Sequence, residues 1–152
     1  MKERVRYEHR QVGWVTVILL FAIAAAISIA AGITAPSERL LSYSFVPILM
    51  VVAALFSTLT VRVTDKRMMW FFGVSGIGRS VAVSEIASIR PIKTSILEGW
   101  GVHLTWHGWL WNVSGFNAVQ IVLRSGTRFA VGTPEPQAVI DAVQSAGGGT
   151  GS

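Results

Sequence analysis

Apolar residues run almost without interruption twice near the start of the chain, and then the pattern changes. Gln11 to Ser37 contains no charge and neither does Leu40 to Val61; only Glu38 and Arg39 separate them. A helix needs about 20 apolar residues to cross a hydrocarbon core roughly 30 Å thick. Each run therefore predicts a membrane-spanning helix, over about 13–33 and 40–60. The short link from Thr34 to Arg39 makes the two helices antiparallel neighbours. Ala24, Ser28 and Gly32 repeat at four-residue spacing, as do Ala22, Ala26 and Ala30, and the second run offers Ala53, Ala54, Ser57 and Thr58. These small residues either let the backbones approach closely or reflect the general abundance of alanine in membrane helices. Pro47 falls in a permissive first turn if the second helix starts near Ser44, and kinks the helix if it starts near Ser37.

From Val61 onward the period is two rather than three to four. Val61 to Thr64 reads as a strand, Asp65-Lys66 as a turn and Met68 to Phe72 as the returning strand. Gly73, Gly76 and Gly78 mark a loop, Ser80 to Val83 alternates again, and Ser84 to Ala87 is a short turn. Ile89 to Ile92 is extended, with Pro91 assigning it to an edge or a strand end. Trp100 to Val113 is a hairpin broken near Gly108, followed by strands around Val119 to Leu123 and Phe129 to Val131. Thr133 as N-cap and Pro134 as the first helical residue predict a final helix, with Glu135 at its positive end. Ala138, Val139, Ala142 and Val143 form its apolar stripe, and it ends near Ala146. Seven or eight short strands and one helix predict a small β-barrel plugged by that helix. The organisation is thus a cytoplasmic tail (1–12), a helical hairpin (13–60), a barrel domain (61–146) and a flexible tail (147–152).

Charge adds an orientation. Lys2, Arg4, Arg6 and Arg10 precede the first run and Arg62, Lys66 and Arg67 follow the second, while the intervening loop has only Arg39. That asymmetry predicts a multi-pass inner-membrane protein with both termini cytoplasmic. A cleaved signal peptide ending at Ala35 fits less well. Its apolar stretch exceeds the usual 7–15 residues of an h-region, and Glu3 and Glu8 are foreign to an n-region. No ionisable residue lies mid-run, which argues against an ion or proton pathway. The absence of cysteine excludes disulfides and thiolate chemistry.

The residues Val61 to Arg67, Val83 to Ile89 and Gly126 to Pro136 resemble the bacterial membrane-anchored PH-like (pleckstrin-homology-like) domain proteins. The resemblance implies an α+β membrane protein: a two-helix transmembrane hairpin followed by a small PH-like β-barrel capped by a C-terminal helix. It implies no shared catalytic residue.

Chemical candidates are few. His103 and His107, if on a strand, lie about 13 Å apart, too far to share a metal. The glycines do not spell a nucleotide-binding loop, and no Gly-x-Ser-x-Gly occurs. Asn112-Val113-Ser114 matches a glycosylation acceptor only by accident if it lies in a strand. No catalytic, cofactor or metal site is predicted, and no small-molecule substrate or nucleic acid. From Arg62 onward there are eight basic and five acidic residues, too few bases for a nucleic-acid face. Lys66, Arg67, Arg79 and Lys93 are candidate contacts to anionic lipid headgroups, or topology signals only. Trp70, Trp100, Trp106, Trp109 and Trp111 either fill the core or line a surface. Alternation puts Trp109 and Trp111 on one face and Leu110 on the other, so one face is a candidate surface for the membrane, a protein partner or a homo-oligomer. The leading expectation is a non-enzymatic module presenting a protein-interaction surface; lipid sensing and an accessory subunit of a membrane complex are the alternatives.

Overall fold

The computed structural model describes residues 3–33, 36–73, 77–95, 98 and 101–147. It is an α+β fold with helices α1 (Trp14–Gly32), α2 (Pro36–Phe56) and α3 (Pro136–Ala146). Nine strands occur among the described residues: β1 (Val5–Val12), β2 (Thr58–Thr64), β3 (Arg67–Phe72), β4 (Ile77–Ala82), β5 (Ile86–Lys93), β6 (Gly101–Thr105), β7 (Gly108–Asn112), β8 (Asn117–Leu123) and β9 (Arg128–Gly132). They form two sheets, β1-β2-β3-β4 and β5-β8-β9-β7-β6. The expected closed barrel is therefore corrected to an open two-sheet arrangement, because among the described residues no ladder joins the sheets at either side.

Residues 5–12 are not a tail. Val5–Val12 pairs antiparallel with β2, from Val12 opposite Thr58 to Val5 opposite Thr64. Tyr7, His9 and Gln11 alternate with Arg6, Glu8 and Arg10, a strand pattern hidden beneath charges that also read as topology signals. Glu8 takes two 2.9 Å hydrogen bonds from Arg62, and Arg6 pairs with Asp65. The helices are thus an excursion between two paired strands. The Gly13 N–H donates to the Ser57 carbonyl at 2.6 Å where the excursion begins and ends, so α1 and α2 run antiparallel and pack together.

The seam between them uses Ala24 and Ala31 of α1 and Ala53 of α2, all buried. Gly32, expected in the stripe, is exposed, and nothing lies within 4 Å of where its Cβ would be. Among the described residues only α1 is long and apolar enough to cross a membrane, with a mean hydropathy of 2.5. The second expected span is shortened at both ends. Its first turn carries Glu38 and Arg39, its apolar part is Tyr43–Phe56, and residues 58–60 belong to β2. Pro47 lies inside α2, not in its first turn.

The core lies between the sheets. Phe72 stacks on Trp111 with ring centroids 5.6 Å apart, Trp70 meets Phe129 at 5.3 Å and Trp111 edge-on at 6.4 Å. Leu59, Val61, Val63, Met68, Val119, Ile121 and Val131 complete it, each such buried side chain contributing about 1.5–3 kcal/mol. The final helix starts two residues later than expected, at Pro136, because Thr133 Oγ1 accepts from the Glu135 N–H in a local turn. Its Val139, Ile140, Ala142 and Val143 are buried, and it packs on β5, β1, β8 and β2.

Candidate functional site

The position of α3 makes the two sides of the sandwich unlike. It covers the side where β1 and β5 are the outermost strands. On the opposite side β4 and β6 are outermost, and neither has a second strand neighbour. Register fixes what faces this opening. Arg79 is opposite Trp70 and Ile77 opposite Phe72 on β3-β4. Leu104 is opposite Trp109 and Val102 opposite Trp111 on β6-β7. Trp70, Phe72 and Trp111 are core residues, so their cross-strand partners continue the same inner faces outward. There the burial stops: Leu104 is 69% exposed and Trp109 48%, and Trp106 in the hairpin turn is 92% exposed. The guanidinium of Arg79 reaches inward to the Phe129 ring, 5.2 Å from its centroid.

This divides the tryptophans. Trp70 and Trp111 are core, Trp106 and Trp109 are surface, and Trp100 lies outside the described residues. The pairing of Trp109 with Trp111 as one surface is therefore corrected. Both point to the same face, but Trp111 lies over Phe72 and is buried, whereas Trp109 is about half exposed. The indole N–H groups of Trp70 and Trp111 are buried without an acceptor among the described residues, one strand in from the two open edges.

The four basic candidates do not converge. β2 leaves the helices at Thr58 and carries the chain about 20 Å to Thr64 at the strand rise of roughly 3.3 Å per residue. Lys66 and Arg67 therefore lie at the end of the sandwich far from the helices, although they follow them closely in sequence. Arg67 Nε donates to Ser80 Oγ at 2.7 Å. Arg79 is at the opening. Only Lys93 is at the helical end, opposite Asn117, next to the loop through Ser114 that binds Gln11.

No groove assembles a catalytic set among the described residues. One, about 570 Å³, lies between Val83–Ile89 and the end of α3. Its one charged lining residue, Arg124, donates to the Ser84 carbonyl at 2.9 Å. A second of about 500 Å³ mixes Glu3 and Asp65 with Lys66 and Arg67. A third, about 340 Å³, is formed by Thr16 and Phe56 at the base of the helices with Val102 and Val113. His107 Nδ1 lies 3.2 Å from Glu98 Oε1, while His103 is on β6 with a buried, unpartnered Nε2. No cluster of three or more potential metal ligands occurs among the described residues. Asn112 is fully buried, donating to the Gly115 carbonyl and accepting from the Ser114 N–H, which is no place for a glycan. Among the described residues, electrostatic shifts fall on β1 and on its cross-strand partner Arg62 of β2. Hydrogen bonding from Arg62 holds the Glu8 carboxyl below its ordinary value, and burial pushes the Tyr7 hydroxyl up beside Glu135.

Comparison with known proteins gives no match: no family model, no curated protein and no solved structure matches this chain.

Proposed function

We propose that this chain is a membrane-anchored, non-enzymatic module of the PH-like kind that presents a protein-interaction surface at the cytoplasmic face. The observation that carries this reading is the apolar ridge of Val102, Leu104, Trp106 and Trp109 on the open side of the sandwich. Elsewhere in the sheets, large apolar side chains of this kind are mostly in the core. A ridge of this composition on a rigid sheet suits a protein partner.

The anchor is the antiparallel pair α1 and α2. Their outward faces expose Trp14, Ile18, Phe21, Ile29, Phe45 and Ile48, among others, and lipid is the natural cover for a belt of that length. In this reading the basic residues before α1 and after α2 place both termini in the cytoplasm. The ridge is then held at a set distance from the bilayer by the Gly13–Ser57 junction.

A photo-crosslinking residue placed at Leu104 of the full chain in its native membrane tests this. The expected result is a discrete protein adduct that disappears when Trp109→Asp is added and the fold is retained. Adducts to lipid alone, or no adduct, would overturn it. Lipid sensing has less support, because of its four candidate cations only Lys93 sits at the helical end.

A further inference from the structure

The two sheets have four edge strands, and three are protected against pairing with another chain. β1 carries Arg6, Glu8 and Arg10 and lies beside α3. β5 carries Arg90, Pro91 and Lys93 and also lies beside α3. β4 presents Gly78 and Arg79. Charges, prolines and covering helices are the usual means by which proteins keep such edges from pairing. β6, Gly-Val-His-Leu-Thr, has none of them. Its outer N–H and C=O groups have no strand partner among the described residues, and its Val102 and Leu104 lead directly into the apolar inner face.

The charge of the opening is equally one-sided. Of Ile77, Arg79, Val102, Leu104 and Trp109, which face it, only Arg79 is charged. Its contact is with a ring, Phe129, and no carboxylate pairs with it among the described residues. Arg79 stands opposite Trp70, while Phe129 stands beside Trp109 and Trp109 opposite Leu104. The guanidinium is thus level with the middle of β6.

We propose that the free edge of β6 takes an extended segment of a partner protein. It adds as a sixth strand, with apolar side chains at alternate positions and one Asp or Glu set against Arg79. Strand addition supplies backbone hydrogen bonds along the edge, and pockets for alternate side chains supply the selection. The inward-facing residues of the segment cover Val102, Leu104 and Trp109, and its acid neutralises the one charge in the opening. A second copy of the chain is a poorer occupant, since β6 contains no acid and a β6–β6 pair leaves both Arg79 groups unmatched. A lipid surface is poorer too, because Trp106 is at the turn of the β6-β7 hairpin farthest from the helices. This rests on the interaction-module reading and names the chemistry of its partner.

The test uses the full chain in lipid nanodiscs and a displayed library of random peptides about ten residues long, enough to span an edge strand. Selected peptides are expected to alternate aliphatic residues around an Asp or Glu. Their binding should fall by about tenfold or more on Arg79→Glu and return when the peptide acid is replaced by Lys. N-methylation of alternate peptide amides should abolish it. The proposal is overturned by peptides without acids, by binding indifferent to Arg79→Glu, by a β6-linked dimer, by competition from anionic vesicles alone, or by no selection at all. If one of these occurs while the Leu104 crosslink still yields its Trp109-dependent protein adduct, the module stands and only the strand fails. If the adduct is absent as well, both fail.

Discussion

The two sides of the sandwich are built from similar strands and end differently. On the α3 side, the gap between the sheets is filled by Val139, Ile140 and Val143, and β1 and β5 turn charges outward. On the β4-β6 side the apolar faces simply run on past the point where the opposite sheet stops. One side shows what a finished edge costs in sequence: an amphipathic helix and two charged strands. The other has no covering helix and a single charge, Arg79 on β4, and its β6 strand carries none of these devices. An unfinished edge of this kind is informative because the same chain demonstrably knows how to finish one.

The largest test of the contrast is a matched pair of substitutions. Val139→Asp places a carboxylate at a fully buried position and should cost more than about 4 kcal/mol, enough to abolish cooperative unfolding. Leu104→Asp on the open side should stay within about 0.5 kcal/mol of the parent. Chemical denaturation of the full chain in detergent, followed by tryptophan fluorescence, reads both. If Leu104→Asp unfolds the protein too, the open side is really core.

Trp109 and Trp111 sharpen the same boundary within one strand. Trp111→Ala removes a ring that contacts both Phe72 and Trp70 and should cost about 3 kcal/mol. Trp109→Ala should cost less than about 1 kcal/mol, with a fluorescence change at the red, solvent-exposed edge of the spectrum. Equal losses would mean that Trp109 is packed as deeply as Trp111.

A smaller effect is expected where the sandwich meets the helices. A Cβ on Gly13 would lie 2.8 Å from the Val113 carbonyl oxygen and 3.3 Å from that of Ser57. Gly13→Ala should therefore cost about 1–2 kcal/mol. Because the strain falls at the junction, it should loosen the helices from the sheets before it unfolds either. Limited proteolysis near Gly13 and Ser57, enhanced while the core fluorescence is unchanged, is the expected signature.

What could be read from the sequence follows the physics of each element. The helix α1 and most strands from β2 to β9 announce themselves because one period dominates each, with polar turns such as Asp65-Lys66 between them; Gly78, read as loop, instead lies in β4, and Ile86 and Ala87, read as turn, in β5. The helix α3 was legible in its stripe but not in its first residue, since Thr133 can serve either a cap or a turn. β1 was hidden because its charges fit two rules together, the one expected of a membrane flank and the pairing across to Arg62 and Asp65. The sheet order was not legible at all. β6 and β7 reach β9 through a parallel pairing, which no local pattern encodes, and so neither the opening nor the separation of Lys66 and Arg67 from the helical end could be foreseen. Sequence proximity to the helices misled where distance along a strand decides.

The finished side should also carry a weak acid dependence that the open side lacks. Glu8 of β1 accepts from Nε and Nη2 of Arg62 at 2.9 Å, and this lowers its pKa from the ordinary 4.5. A carboxyl with a depressed folded-state value contributes stability that is complete above its unfolded pKa and is lost as pH falls through the folded one. The loss should thus begin below about pH 4.5 and be small. The pair is largely solvent-exposed, so its share is well under about 1 kcal/mol. Glu8→Gln should remove that part of the acid dependence and, at neutral pH, lower stability by the same small amount. Arg62→Gln should do likewise without adding to it in the double variant. Additive losses would show that the two residues act separately, and that β1 is held by its backbone ladder and α3 alone.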